Sequence, residues 1–320
     1  MLLSAASIPA RARDCAAPPP AVRDIALPRF YGDATGSIVD PQRAAAHKAA
    51  VAPLDDFVRH VTQLSDKAVL RTKPGARAEA AQCALAWLSA WAAGGALLGR
   101  MQTKQAEYQR KWDLAGLALA YLEVRAYARP EQRRSISGWL KETADRARAF
   151  FDDPGHKRNN HWYWMGLALG AVGLATDSPA HWHAARAVYD DALADIAADG
   201  SLPHEIARKA RALHYHSFAL MPLVVLAELA QSRGEDWYSR RNGALHRLVS
   251  FTVEGFAEPA RVARLAGTPQ EQTRPGAGWS YLYARRFPER LARPLAGASD
   301  GHRWLGGKVD ALAATLAPKR

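Results

Sequence analysis

The sequence predicts an all-α fold built as a ring of helical hairpins. Three observations predict it. Helical segments recur almost without pause from residue 54 onward. Period-two alternation, the mark of half-buried strands, is nearly absent. Segments 160–175 and 213–229 are apolar nearly all round, as inner helices are, whereas 130–152 and 179–197 carry more charge and read as outer ones. No repeat of fixed period stands out, so a regular solenoid is not expected.

Residues 1–53 are rich in Pro, Gly and Ala and read as an extended arm, with Pro18-Pro19-Pro20 its stiffest part. Residues 1–12 are weakly apolar and end in Ala10-Arg11-Ala12, a residual signal region at most: the apolar part is short and lacks a basic start. A single domain is expected over 54–320. Its helices are placed at 54–67, 77–98, 105–128, 130–152, 160–175, 179–197, 204–232, 237–256, 275–285 and 305–316. Breaks at Pro74-Gly75, Pro154-Gly155, Asp177-Ser178-Pro179 and Asp199-Gly200 separate them.

Lys and Arg number 43 against 31 Asp and Glu, a net charge of +12. That surplus points to an anionic partner. No nucleic-acid motif is present, so nucleic acid is not the expected partner. No apolar run reaches the ~18 residues of a membrane span. The two cysteines, Cys15 and Cys83, are either separate buried thiols or one disulfide formed in an oxidising compartment; spacing leaves both open.

The chemistry concentrates in two segments. In Asn159-Asn160-His161-Trp162-Tyr163-Trp164, an asparagine caps the helix that follows. His161 then falls in the first turn, where the helix dipole disfavours an imidazolium. The neighbouring aromatic rings suit the apolar face of a sugar. The second segment is the helix expected from His204. At about 100° per residue, Ile206, Ala210, Leu213, Leu220 and Val224 form a buried stripe. His204, Arg208, Arg211 and Tyr215 share the opposite face, with Arg208 and Tyr215 about 10 Å apart along the axis. His214 and His216 lie off that face and read as structural. Two basic patches complete the set. Tyr108-Gln109-Arg110-Lys111-Trp112 is one; the other, Arg71-Thr72-Lys73-Pro74-Gly75-Ala76-Arg77, reads as a flexible loop able to close over a polyanion.

These residues resemble the alginate lyase family of helical-toroid polysaccharide lyases. The resemblance rests on Asn159-Asn160-His161 with Tyr163-Trp164, on Leu202-Pro203, and on Arg211-Ala212-Leu213-His214-Tyr215-His216 with Phe218-Ala219-Leu220. Cys83-Ala84-Leu85-Ala86-Trp87 and Leu305-Gly306-Gly307 add to it, and the likeness extends over most of 65–310. It implies an incomplete (α/α) toroid and β-elimination on poly-β-D-mannuronate. Asn160 and Arg208 would neutralise the uronate carboxylate, and His161 would sit beside it. Tyr215 would protonate the leaving oxygen and, for mannuronate, also take the C5 proton. Where these groups lie on opposite faces, the case expected for glucuronate or guluronate, His161 is the better base. Lys73, Tyr108, Trp164, Arg211 and Arg303 are the expected substrate contacts. The resemblance also implies no metal or cofactor, a periplasmic location, and a Cys15–Cys83 disulfide. A monomer acting on an anionic polysaccharide is expected.

Tyrosine starts from a pKa of about 10. Arg208 and Arg211 are expected to lower it and make a phenolate accessible. One departure concerns the C-terminal region. Trp279-Ser280-Tyr281-Leu282-Tyr283 lacks the acid of members devoted to alginate, which widens the expected substrates to polyglucuronate and hyaluronan. Two other readings compete. One is a non-catalytic binder of the same polyanion. The other is a glycoside hydrolase, which needs two carboxylates flanking the bond; Asp113, Glu123 and Glu205 are candidates, but none is paired by its setting.

Overall fold

Proline at the first turn, where a missing N–H costs nothing, opens helix after helix: Pro41, Pro74, Pro130, Pro179, Pro203 and Pro259 all stand there. The computed structural model describes residues 15–34, 36–153, 155–156, 158–271, 276–298 and 300–318. The possible signal region at 1–12 lies outside the described residues.

The chain runs as helical hairpins. Helices α1 (Pro41–Leu70) and α2 (Pro74–Ala93) form the first, α3 (Lys104–Val124) and α4 (Pro130–Phe151) the second, α5 (Asn160–Ala175) and α6 (Pro179–Ala194) the third. The short α7 (Pro203–Ile206) leads into α8 (Ala212–Gln231), which pairs with α9 (Arg240–Ala257). Helices α10 (Pro259–Ala266), α11 (Gly278–Arg286) and α12 (Val309–Leu316) complete the fold. Packing follows an inner circuit α1, α3, α5, α8, α11, α12, with α12 returning to α1 and α3. Helices α2, α4, α6 and α9 lie outside it, each against its inner partner. The last two inner positions are held by helices of nine and eight residues, so the toroid is incomplete. Among the described residues there are no strands, only isolated bridges.

The inner helices α5 and α8 are apolar nearly all round, as the sequence predicts. In α5, Leu167, Leu169 and Val172 are fully buried, each contributing about 1.5–3 kcal/mol. The stretch Lys209–Gln231 has the length and apolarity of a membrane span, contrary to the expectation that no run would qualify. Its most apolar window is 89% buried inside the protein, so burial in the toroid accounts for its composition.

Three sequence expectations need correction. The arm ends at residue 40, not 53, because α1 begins at Pro41 and passes through Pro53. An interior proline costs about 3 kcal/mol; burial of Leu54, Phe57, Val58 and Val61 against the neighbouring helices outweighs that. The supposed basic loop is only the turn 71–73, since α2 starts at Pro74. The expected helix 204–232 is broken: Lys209 takes φ +55°, and the chain turns between α7 and α8.

The arm is pinned along its length. Cys15 and Cys83 form a disulfide, with Cα atoms 5.5 Å apart. Trp87 Nε1 donates to the Ala16 carbonyl (2.8 Å), the Leu97 amide to Val22 (2.9 Å) and the Gln102 amide to Ile25 (2.9 Å). This track delivers Phe30 and Tyr31 to the centre of the toroid.

Candidate active site

A cleft of about 1070 Å³ opens at that centre. The arm contributes Tyr31, α1 contributes His47 and Asp55, and α3 contributes Gln105, Tyr108 and Trp112. His161 enters from α5, Arg208 and Arg211 from the α7–α8 break, His214 and Tyr215 from the start of α8, and Arg303 and Trp304 from the turn before α12. The carboxylate lining it among the described residues is that of Asp55, which pairs with Arg303 at 2.9 Å. Arg29, Lys48, Lys104, Arg208 and Arg211 leave the lining cationic, a field that draws in a polyanion.

The break before α8 builds the reactive corner. On a straight helix Arg208 and Tyr215 would stand two turns apart. The turn at Lys209 instead folds Arg208 back, so that its Cζ lies 3.6 Å from the centre of the Tyr215 ring. Arg211 Cζ lies 5.4 Å from the same ring. Arg208 Nη2 donates to the Gly36 carbonyl (2.8 Å), and Ser37 Oγ donates to the Arg208 carbonyl (2.9 Å). The Tyr215 hydroxyl is hydrogen-bonded to that of Tyr31, which also accepts from Arg211 Nη1 at 2.8 Å. Burial pushes the Tyr215 phenol well above its ordinary range, and Arg208 only partly offsets this. The expectation that two guanidiniums would lower it is therefore reversed in this closed arrangement.

Asn159 caps α5, its Oδ1 accepting from the His161 amide (3.1 Å). His161 stacks on Tyr108 with ring centres 3.8 Å apart. Burial, followed by Lys111 and Arg208, holds its imidazole far below the usual histidine range, so the ring is neutral. Edge-to-face contacts link Tyr215 to Phe218 and Phe218 to Trp112 (6.0 Å each), and Trp112 lies 5.6 Å from His161. The phenol and the imidazole thus face one cleft across an aromatic floor.

Trp304 stacks on Trp112 at 4.5 Å. Its turn fits because α3 has Gly116 there: a Cβ would stand 2.2 Å from the Arg303 carbonyl. Gly306, at φ +87°, closes the same turn. Asp113, fully buried below, accepts from Gln109 (2.8 Å) and from Trp304 Nε1 (3.2 Å). Burial, reinforced by Asp55, pushes its carboxyl up to about 8.

Of the expected site residues, His161, Arg208, Arg211, Tyr215, Tyr108 and Arg303 converge here. Three do not line the cleft. Lys73 is exposed in the α1–α2 turn. Trp164 is fully buried behind the floor against Phe218 and Trp304. Asn160 is buried too; its amide nitrogens, backbone and side-chain, donate to Glu205 Oε1 at 3.0 and 2.9 Å. His214, read as structural, lines the cleft, whereas His216 is structural, its Nε2 accepting from the Leu202 amide (2.9 Å). The basic pair Arg110-Lys111 is buried rather than solvated. Sequence reasoning missed Tyr31; its signal was Arg29-Phe30-Tyr31-Gly32, an aromatic and basic run inside a Pro-rich arm.

The carboxyls proposed for a hydrolase are accounted for elsewhere. Asp113 lies beneath the cleft, Glu205 on Asn160, and Glu123 is buried against α1 and α12 groups. No pair flanks the cleft among the described residues.

Comparison with known proteins agrees with this geometry. The family model for alginate lyase matches residues 29–262. A polysaccharide lyase of Stenotrophomonas maltophilia (strain K279a) is 44% identical over 278 residues, covering 86% of this chain and 82% of that one. An alginate lyase of Azotobacter vinelandii is 34% identical over 242 residues, 73% of this chain and 64% of the relative. Among solved structures, a variant of alginate lyase A1-III complexed with a tetrasaccharide superposes with a TM-score of 0.81 at 26% identity. It covers 94% of this chain and 86% of that one. The A1-III enzyme of Sphingomonas species A1 gives a TM-score of 0.78 at 25% identity, with the same coverage. By sequence and by fold, the chain belongs to the alginate lyase family and is a polysaccharide lyase.

Proposed function

We propose that this protein cleaves alginate at poly-β-D-mannuronate and extends the same chemistry to polyglucuronate and hyaluronan. The observation that carries the reading is Arg208 stacked on Tyr215 in a cationic cleft that also holds a neutral His161. A proton next to a carboxylate is hard to remove because the elimination passes through a dianionic enolate. Donors aimed at that charge supply the largest share of the acceleration. Arg208, Arg211 and His161 are the donors; Asn160 backs them from its Glu205 anchor rather than from the cleft wall.

Tyr215 reacts as its phenolate, the form that Arg208 and Arg211 favour against burial. It takes the C5 proton and passes that proton to the leaving glycosidic oxygen, which restores the phenolate. One phenol suffices where hydrogen and leaving oxygen share a face. Mannuronate and glucuronate share their C4 and C5 configuration and differ at C2, so both fit; this corrects the expectation that glucuronate, like guluronate, would set the two groups on opposite faces. The product carries a 4,5-unsaturated uronate at its new non-reducing end. Periplasmic action belongs to the same proposal, supported by the disulfide.

The test is incubation, without added metal, with polymannuronate, polyguluronate, polyglucuronate and hyaluronan while ultraviolet absorbance of the conjugated alkene is followed. The proposal requires the chromophore from polymannuronate. Chain shortening without it would mean hydrolysis; binding without shortening would mean a polyanion-binding protein.

A further inference from the structure

We propose that Lys111 is a positioning residue that fixes the tautomer of His161, making it a hydrogen-bond donor toward the cleft. The inference rests on the reading of His161 as a site residue and deepens it.

Lys111 is fully buried in α3 and makes no ion pair among the described residues. Its Nζ stands 3.2 Å from the Tyr108 carbonyl and 3.3 Å from His161 Nδ1. Around it lie the faces of Trp112 at 4.0 Å, Tyr108 at 4.8 Å and Phe151 at 5.3 Å. A carbonyl and three electron-rich faces all favour an N–H directed at them. Each would repel an amine lone pair. The rings also stabilise the ammonium against its burial, which on its own lowers the lysine's pKa. The acidic groups nearest in charge are Glu107 and Asp113 on the same helix. Glu107 is taken by Arg110, and Asp113 by Gln109 and Trp304.

An Nζ surrounded in this way donates to His161 Nδ1. A neutral imidazole whose Nδ1 accepts must carry its proton on Nε2. Nε2 makes no hydrogen bond among the described residues, and the ring lines the cleft. His161 therefore offers a donor to a bound carboxylate. In this tautomer it has no free lone pair toward the substrate, which closes to it the role of base for guluronate. Tyr215 is left as the proton-transfer group.

The direct test is nitrogen-15 NMR of the histidine side chains of the intact protein at neutral pH. His161 is assigned by its loss in His161→Gln. The expected result is a bare Nδ1 and a protonated Nε2. A protonated Nδ1 overturns the proposal without any variant, and does so whether or not the protein is a mannuronate lyase. In Lys111→Met, of similar length and apolar, the tautomer preference should disappear. There kcat on polymannuronate should fall about tenfold or more, the loss of an aligned donor to developing charge, with KM within about threefold. An unchanged tautomer in Lys111→Met also overturns it.

Discussion

The guanidinium of Arg208 covers the ring of Tyr215 at 3.6 Å; Arg208 lies in the connection after α7 and Tyr215 in α8, with the positive-φ turn at Lys209 between them. This stacking puts a permanent positive charge beside the group assigned to proton transfer. Arg208 is also the largest influence lowering the Tyr215 pKa against burial. Arg208→Ala should therefore reduce kcat by about 10²–10³, the range for removing one donor to developing charge. It should also raise the Tyr215 pKa further, moving the acidic limb of the kcat/KM profile to higher pH. Steady-state kinetics across pH checks both; a limb that moves down would contradict the assignment.

Tyr31 acts on the same phenol in the opposite sense. Its hydroxyl is bonded to that of Tyr215, and both that bond and its charge raise the Tyr215 pKa. Tyr31→Phe should shift the acidic limb to lower pH, opposite to Arg208→Ala. Rate profiles of the two variants, measured together, test whether one tyrosine underlies both.

Asp113 makes a pH prediction for stability. Its folded pKa is raised to about 8 from an ordinary 3.8. A carboxyl raised by folding stabilises the fold most below its unfolded pKa, and that contribution is lost as pH rises toward the folded value. The window is thus about pH 4 to 8. Asp113→Asn removes the titration, so stability relative to wild type should rise across that window by more than about 1 kcal/mol. Denaturant melts at several pH values measure it; a flat difference would contradict the burial argument.

The disulfide closes a sequence separation of 68 residues. Cys15→Ser combined with Cys83→Ser should cost about 2–5 kcal/mol in the chain-entropy account. The arm keeps its hydrogen bonds to Trp87, Leu97 and Gln102. The cleft should therefore still assemble, with kcat falling less than stability does. Chemical denaturation and activity of the double variant check this.

Much of this was legible in the sequence, for physical reasons that differ by residue. Periodicity and N1 prolines mark most helices because both signals are local. The all-round apolarity of α5 and α8 predicted their inner place. The site was half legible. His161 followed from its asparagine cap, but Trp164, three residues on, points into the core because α5 is buried on nearly every side. A helical wheel presumed one straight helix through Arg208 and Tyr215; no local signal announced the left-handed Lys209. The buried Lys111 was unreadable for another reason: its environment comes from Tyr108 and Trp112 beside it, but also from Phe151 and His161 on other helices. Tyr31 was missed because a Pro-rich arm shows no periodicity, and its partner lies 184 residues away.

The phenol of Tyr215 is the group on which the proposed elimination depends most. The decisive measurement is alkene formation from polymannuronate by Tyr215→Phe, with binding of the same polymer followed by calorimetry. A loss of turnover of about 10³ or more, with Kd kept within about threefold, is the predicted result, since proton transfer fails while the guanidiniums remain. Turnover near the wild-type rate, or binding lost in step with it, would contradict a proton-transferring tyrosine.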